Sequence, residues 1–307
     1  MLPERVPYRL IDAFTDKPFQ GNPAAVVLFE DDRIDDNQLL QKLAIEYNLQ
    51  ETAFLRRLDL DAANNSDEAP RYRLRWFTPV QEFPLCGHAT LASAHYLLSE
   101  VHPQAKRISF ETMSGTLHTT RSPSGTLELD FPPDTSVLAA PDRETVQSIQ
   151  KRLEGVNAAL SQEVVDVRVG KLAVIVELRT SYDLATAELD ALPLASSKQY
   201  FVFTQVAAAS SGSNIYSRVL DGAEACPEDP VTGSAHCMLA PYYLETGSAA
   251  NQRLREAHPI LSTSDPVLRC QQGGPRRGSL EVEWRKDDGR VTLRGRAVTV
   301  MEGFLRI

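Results

Sequence analysis

The chain has 307 residues, 42% of them hydrophobic and 24% charged, which is enough apolar mass for one large or two ordinary domains. Its formal net charge of −9 has the wrong sign for a general nucleic-acid binder, and the one basic cluster, "GGPRRGS" (273–279), is too short to change that. No apolar run approaches the ~18 residues of a membrane span, the first residues carry charge where a signal peptide needs an apolar core, and the four cysteines include no C-x-x-C pair. These features predict a reduced, cytoplasmic protein with no nucleic-acid and no membrane partner.

In chain order, "FQGNPAAVVLF" (19–29) reads as a glycine turn feeding an apolar strand. "DNQLLQKLAIEYNL" (36–49) has helical periodicity. It runs into "NLQETAFL" (48–55), which puts Glu51 where a helix ends and a strand opens. A carboxylate opening an apolar strand is unfavourable to bury unless it is paired or needed; a solvated turn is the plain alternative. "DLDAANNSDEAP" (59–70) is a surface loop by composition. A strand is expected at "RYRLRWFTP". Next comes the helix "ATLASAHYLLSE" after Gly87, whose small charge on any face suits burial inside a curved sheet. Strands "RISFETMSGTLHTT" and "GTLELDFP" follow, and then "FPPDTSVLAAPD" (131–142), whose three prolines suggest an interdomain linker.

The second half repeats the first. "RVGKLAVIVEL" (168–178) matches the first glycine-fed strand, and "TAELDALPLASS" (186–197) takes the relative place of the first helix. Gly87, Ala89, Ala94, Tyr96 and Leu98 align with Gly233, Ala235, Ala240, Tyr242 and Leu244, and all these matches lie about 146 to 149 positions apart. An ordered series at nearly constant offset indicates a duplicated unit. With strands at "KQYFVFTQV", "GSLEVEWR" and "RVTLRGRAVTV", the expected fold class is α+β. The reading is of two pseudo-symmetric domains, 1–131 and 132–307, each with many strands around a central helix, the last strand being able to return to the first domain. A ligand cleft is expected between such domains.

Two motifs, "CGHAT" and "TGSAH", place a glycine and then a polar side chain at the start of an apolar helix. A helix N-terminus offers N–H groups without partners and a partial positive charge, and glycine lets a ligand approach them. Two such tips in one cleft would suit a small carboxylate or an enolate. Ordinary N-capping by Ser234 and Thr232 is the simpler alternative.

The combination "DAFTDKPFQGNPAAVV", "NLQETAFL", "RWFTPVQEFPLCGHATLASAH", "FETMSGTL" and "EDPVTGSAH" resembles the PhzF family of phenazine-biosynthesis-type isomerases, in order, from near Tyr8 to the C-terminus. The resemblance implies the diaminopimelate-epimerase-like fold, each domain a barrel-like, mostly antiparallel sheet around its helix. It implies that Glu51 shuttles a proton between two carbons of a small unsaturated carboxylic acid by general acid/base catalysis. His88, Asp229 and Ser234 would line the same cleft as further catalytic residues, with Gln50, Gly87, Ala89 and Gly233 against the substrate. It also implies a homodimer, no metal and no organic cofactor. Two departures bear on the pocket. Gln50 stands where the family often has serine, and "QQGGPRRGSL" is a looser form of the family's Q-G…G-R-P pattern.

Other chemistries compete. Epimerases of the same fold use one cysteine per domain, and Cys86 could supply the first; Asp229 holds the expected second position, with Cys226 several residues early. A zinc site drawn from Cys86, His88, His95, His236 and Cys237 lacks common structural spacing. His102, His118 and His258 read as loop or strand-surface residues. A PhzF-like scaffold that binds a small molecule without chemistry is the alternative from a different class.

Overall fold

A computed structural model describes residues 5–58, 69–222, 227–262 and 266–307. The expected loop at 59–70 falls almost wholly outside the described residues, as does Cys226. The chain divides into two compact units, one formed by residues 1–130 with 294–307 and the other by 131–293.

The first unit contains β1 (Arg5–Ala13), β2 (Asn22–Phe29), α1 (Asn37–Tyr47), β3 (Glu51–Arg57), β4 (Arg71–Phe77), β5 (Glu82–Phe83), α2 (Gly87–Tyr96), β6 (Arg107–Thr112), β7 (Gly115–Arg121) and β8 (Leu127–Phe131). The second contains α3 (Arg143–Val156), α4 (Leu160–Glu163), β9 (Val164–Val169), β10 (Ala173–Leu178), β11 (Tyr200–Val206), β12 (Ile215–Leu220), β13 (Glu228–Asp229), α5 (Gly233–Leu244), α6 (Ala249–Ala257), β14 (Val267–Gln272), β15 (Gly278–Arg285) and β16 (Arg290–Gly295). The last strand, β17 (Ala297–Arg306), pairs with β1 in the first unit.

The two units share one pairing scheme. In the first, β1 and β2 are antiparallel, β2 and β3 parallel, β3 and β4 antiparallel, β4 and β6 parallel, and β6 and β7 antiparallel. In the second, the same relations run through β9, β10, β11, β12, β14 and β15. The register agrees to the residue: Ala24 faces Glu51, and 149 positions later Ala173 faces Tyr200. This is the α+β, pseudo-symmetric, diaminopimelate-epimerase-like class, and the duplication is visible as hydrogen bonding rather than only as composition.

Each sheet carries a helix that is buried nearly all round. In α2 only Gly87 and His95 are less than fully buried, and in α5 only Ser234. Such helices have no solvent face to mark with charge, which is why their sequences read as uniform Ala, Leu and Tyr. α2 packs along β2, β1, β3 and β17.

The outer covers differ between the units. On the first, α1 is capped by the Asp36 carboxylate, which accepts from Gln38 N and Leu39 N at 3.0 and 3.1 Å, and buries Leu40, Leu43 and Ala44 against Val27, Phe29 and Phe54. It ends at Asn48, which takes the left-handed conformation at φ 49°, and Glu51 follows three residues later. On the second, the expected helix at 186–197 is absent. That stretch makes turns and a short 3-10 segment, Leu192–Leu194, and α3 does the covering with Ile149, Leu153 and Val156. The sequence reading missed α3 because its signal, an Asp142 cap and apolar residues at i, i+4 and i+7, follows directly on the proline-rich stretch.

That proline-rich stretch is not a slack tether. Val137 is fully buried, and Asp134 N–H donates to the Cys237 carbonyl at 3.1 Å. Pro241 explains the bond. It stands inside α5, four residues after Cys237, and has no N–H to give that carbonyl. The segment supplies the donor that the helix lacks.

Candidate active site

Gln50, Glu51, Gly87, His88 and Ala89 fall in the first unit, and Asp229, Gly233 and Ser234 in the second. Glu51 is the first residue of β3 and only 6% exposed, so the solvated-turn reading is excluded. Gln50, just before it, is half-buried.

His88 is the second residue of α2 and 5% exposed. Burial pushes its imidazole down to about 3, so it is neutral at physiological pH. Its Nδ1 lies 3.4 Å from Cys86 Sγ, and its Nε2 is buried without a hydrogen bond. Cys86 is the N-cap residue of α2 and makes no side-chain cap bond. The first-turn N–H groups, those of Gly87, His88 and Ala89, therefore have no helical partner and no cap. A conventional cap here would stabilise the helix by roughly 1 kcal/mol.

The second tip is built on a different set of groups. Thr232 precedes Gly233, yet its hydroxyl does not cap α5; it donates to Asp229 Oδ2 at 2.5 Å. Ser234 does not cap either, its Oγ lying 2.8 Å from the Tyr200 hydroxyl. Ordinary N-capping, the simpler alternative for both residues, is thus absent. Fully buried Gln272 fixes the loop: its Nε2 donates to the Asp229 carbonyl at 2.8 Å and to Thr232 Oγ1 at 2.9 Å, and its Oε1 accepts from Thr232 N at 3.0 Å. Burial raises the Tyr200 phenol well above its ordinary value, which keeps it a neutral hydroxyl.

Register corrects one sequence correspondence. Phe83 pairs with Trp76 as Asp229 pairs with Val219, so Asp229 matches Phe83. The counterpart of Cys86 is Thr232, each standing directly before the first glycine of its helix. The mirrored position in the second unit therefore holds no thiol. Cys237 and Cys270 are buried in α5 and β14, and burial raises the Cys270 thiol strongly.

Both tips hang on the same brace. Arg75 grips Glu82 through Nε and Nη2, both at 2.7 Å, and its Nη1 donates to the Ile34 carbonyl at 2.7 Å. Arg218 grips Glu228 in the same two-pronged way at 2.7 and 2.7 Å, and its Nη1 donates to the Ala187 carbonyl. Each glutamate lies five residues before its tip glycine. Bidentate pairs of this kind fix geometry as well as add energy. The loop "QQGGPRRGSL" leans on the second brace, since a side chain at Gly274 would meet Arg218 and Glu228.

Sequence reasoning missed Tyr200 and Gln272. Tyr200 was discoverable, because it lies 149 positions after Glu51, the offset of the matching glycine-fed strands. Gln272 lay in a stretch noted only for its loose family pattern. His258, expected near the surface, is buried, with its Nε2 2.9 Å from the Ala207 carbonyl. Among the described residues no group of three or more His, Cys, Asp and Glu could hold a metal ion, and no helix is long and apolar enough to cross a membrane.

Chemically, the first unit holds a buried carboxylate, a neutral imidazole and uncapped amides. The second offers uncapped amides and hydroxyls beside a carboxylate already bonded to Thr232. Comparison with known proteins gives one consistent answer. A family model described as "Phenazine biosynthesis-like protein" matches residues 11–303. An uncharacterized isomerase of Pseudomonas aeruginosa is 36% identical over 97% of this chain and 97% of its own, and a mouse phenazine biosynthesis-like domain-containing protein is 35% identical over 98% and 99%. The crystal structure of a PhzF-family phenazine biosynthesis protein from Enterococcus faecalis superposes with a TM-score of 0.75 at 28% identity, covering 99% of this chain and 100% of that one. The chain belongs to the phenazine biosynthesis-like, PhzC–PhzF, family.

Proposed function

We propose that the protein is a cofactor-independent isomerase that moves a proton between carbons of a small unsaturated carboxylic acid. An isomerase or epimerase type of activity is supported by the family and by a relative named as an isomerase. The proton shift is the finer reading, and the observation that carries it is the burial of Glu51 at the mouth of an apolar strand.

In this reading Glu51 takes a proton from one carbon and returns it to another. Shielding from water strengthens a carboxylate as a base toward carbon. Charge developing on the substrate is met by first-turn N–H groups and by the neutral His88. Gly233, Ala89 and Gly87 leave room for the substrate beside backbone amides. Ser234 binds through its hydroxyl, oriented by Tyr200. Asp229 acts chiefly by holding Thr232 and the loop before Gly233, and Gln50 contacts the substrate next to the base. The protein works as a homodimer, which sedimentation equilibrium tests directly.

The two-thiol racemase is disfavoured by the threonine at the position that mirrors Cys86. The test of the main reading is deuterium incorporation. A panel of unsaturated and hydroxy-carboxylic acids is incubated with enzyme in D2O and followed by NMR. Exchange by the wild type and its loss in Glu51→Gln are expected. Full exchange by Glu51→Gln would remove Glu51 as the base, and no exchange with any acid would favour the non-catalytic binding protein.

A further inference from the structure

We propose that Cys86 is a positioning residue whose thiol donates a hydrogen bond to His88 Nδ1, fixing the imidazole as the Nε2–H tautomer and so making Nε2–H the donor presented to substrate. The proposal rests on the reading of His88 as a stabiliser of developing charge. It goes beyond that reading by naming what decides which ring nitrogen carries the proton.

Cys86 occupies the N-cap position, where a side chain ordinarily bonds back to the helix amides, and it makes no such bond. Its Sγ instead sits 3.4 Å from Nδ1 of His88, and both side chains are buried. One hydrogen joins these two atoms, and it can belong to either. An imidazole lone pair is a strong acceptor, while a thiol sulfur is a weak one, so S–H donating to nitrogen is the better match. Transfer of the proton to form a thiolate and an imidazolium is opposed by burial, which holds His88 neutral. The opposite tautomer would leave Nε2, buried and without a hydrogen bond, as a bare acceptor unable to meet an oxyanion.

The other tip supplies an internal contrast. His236 lies in the first turn of α5, fully buried, with its Nδ1 2.9 Å from the Thr232 carbonyl. A carbonyl can only accept, so His236 carries its proton on Nδ1. The chain thus holds two neutral, buried histidines near helix starts, one set by an acceptor and one by a donor. The tautomer of a histidine follows from the partner of its other nitrogen.

The test is long-range 1H–15N correlation NMR on protein labelled at histidine nitrogens, with His88 assigned through His88→Gln. The wild type should show His88 protonated at Nε2 and His236 at Nδ1, the latter serving as internal reference. Cys86→Ser, which keeps a donor, should preserve the His88 pattern. Cys86→Ala should give a tautomer mixture at His88, leave His236 unchanged, and lower kcat about tenfold with KM little affected. A wild-type His88 protonated at Nδ1 overturns the proposal with no substitution involved, and so does an unaltered Nε2–H pattern in Cys86→Ala. These outcomes are separate from the Glu51→Gln exchange experiment. A correct tautomer with full Glu51→Gln turnover would remove the functional reading and leave the positioning result standing.

Discussion

The tips of α2 and α5 have one backbone design and two chemistries. Each is reached through a two-residue strand, braced by an arginine–glutamate pair and opened by glycine. Where the first unit has Glu51, Cys86 and His88, the second has Tyr200, Thr232 and Ser234 at matching places. The first set holds a buried carboxylate, a thiol and a neutral imidazole; the second holds a phenol and two aliphatic hydroxyls. Under the proposed function, this divergence gives one lobe the reacting groups and the other the holding groups, on an unchanged scaffold.

The largest effect should expose that division. Glu51→Gln is expected to reduce carbon–proton exchange about 10³-fold, within the usual range for a general base. Tyr200→Phe, at the matching position, should reduce it only about fivefold and mainly through KM, since one neutral hydrogen bond to Ser234 is lost, worth about 1 kcal/mol. Equal losses in kcat for the two variants would erase the contrast between lobes.

Next comes the shared brace. Arg75→Met and Arg218→Met each remove the two-pronged partner of a partly buried glutamate and should destabilise the protein by roughly 3 kcal/mol, the lower end for a broken buried pair because Glu82 and Glu228 keep some solvent contact. Urea denaturation measures both. A large difference between them would show that one lobe relies on its brace and the other does not.

The buried histidines provide a pH signature shared by the two lobes. His88 is held down to about 3 and His236 to about 4, both from an ordinary 6.5 and both by burial. As pH falls below 6.5 the unfolded chain binds protons that the folded chain refuses, so stability drains with acidification. Each histidine contributes a slope of about 1.4 kcal/mol per pH unit, continuing until its folded value is reached. The slope in urea-unfolding free energy between about pH 6 and 4.5 should fall by up to about 1.4 kcal/mol per pH unit in His236→Gln, the rest remaining with His88 and with His95 and His118, which burial also lowers; a slope unaffected by that substitution would contradict its assignment as buried and neutral.

The smallest effect concerns α5 alone, which carries a proline that α2 lacks. Pro241→Ala gives the helix its own donor for the Cys237 carbonyl. Stability should change by no more than about 1 kcal/mol, because a helix bond replaces the one from Asp134. Hydrogen exchange in residues 131–138 should nevertheless quicken. Unchanged exchange would mean that the Asp134 bond does not hold the segment.

Much of the fold could be read from sequence because duplication doubles every signal. The strands at "RYRLRWFTP", "RISFETMSGTLHTT", "KQYFVFTQV" and "GSLEVEWR" are all present, since β-branched and aromatic runs ended by turn residues say the same thing twice. The outer cover of the second unit was misplaced, because "TAELDALPLASS" lies where the first unit has its helix, while the cap and apolar spacing of α3 sit directly behind a proline-rich stretch that reads as a linker. At the site, Glu51 stands out for the oddity of a carboxylate opening an apolar strand. Tyr200 and Gln272 do not, since a tyrosine and a glutamine at strand ends look ordinary until their partners are placed. The Cys86–His88 contact is a matter of side-chain rotamers, which spacing alone does not determine.

The bond from Asp134 to the Cys237 carbonyl also sets a phase. Pro132 and Pro133 have no N–H, so Asp134 is the first residue after Phe131 able to donate there. Sliding this stretch forward along the helix by one or two positions would bring only proline nitrogens to the carbonyl and leave it bare. Two imino acids beside one interrupted helix thereby act as a stop, barring the first residues of the second unit from slipping along α5 in that direction.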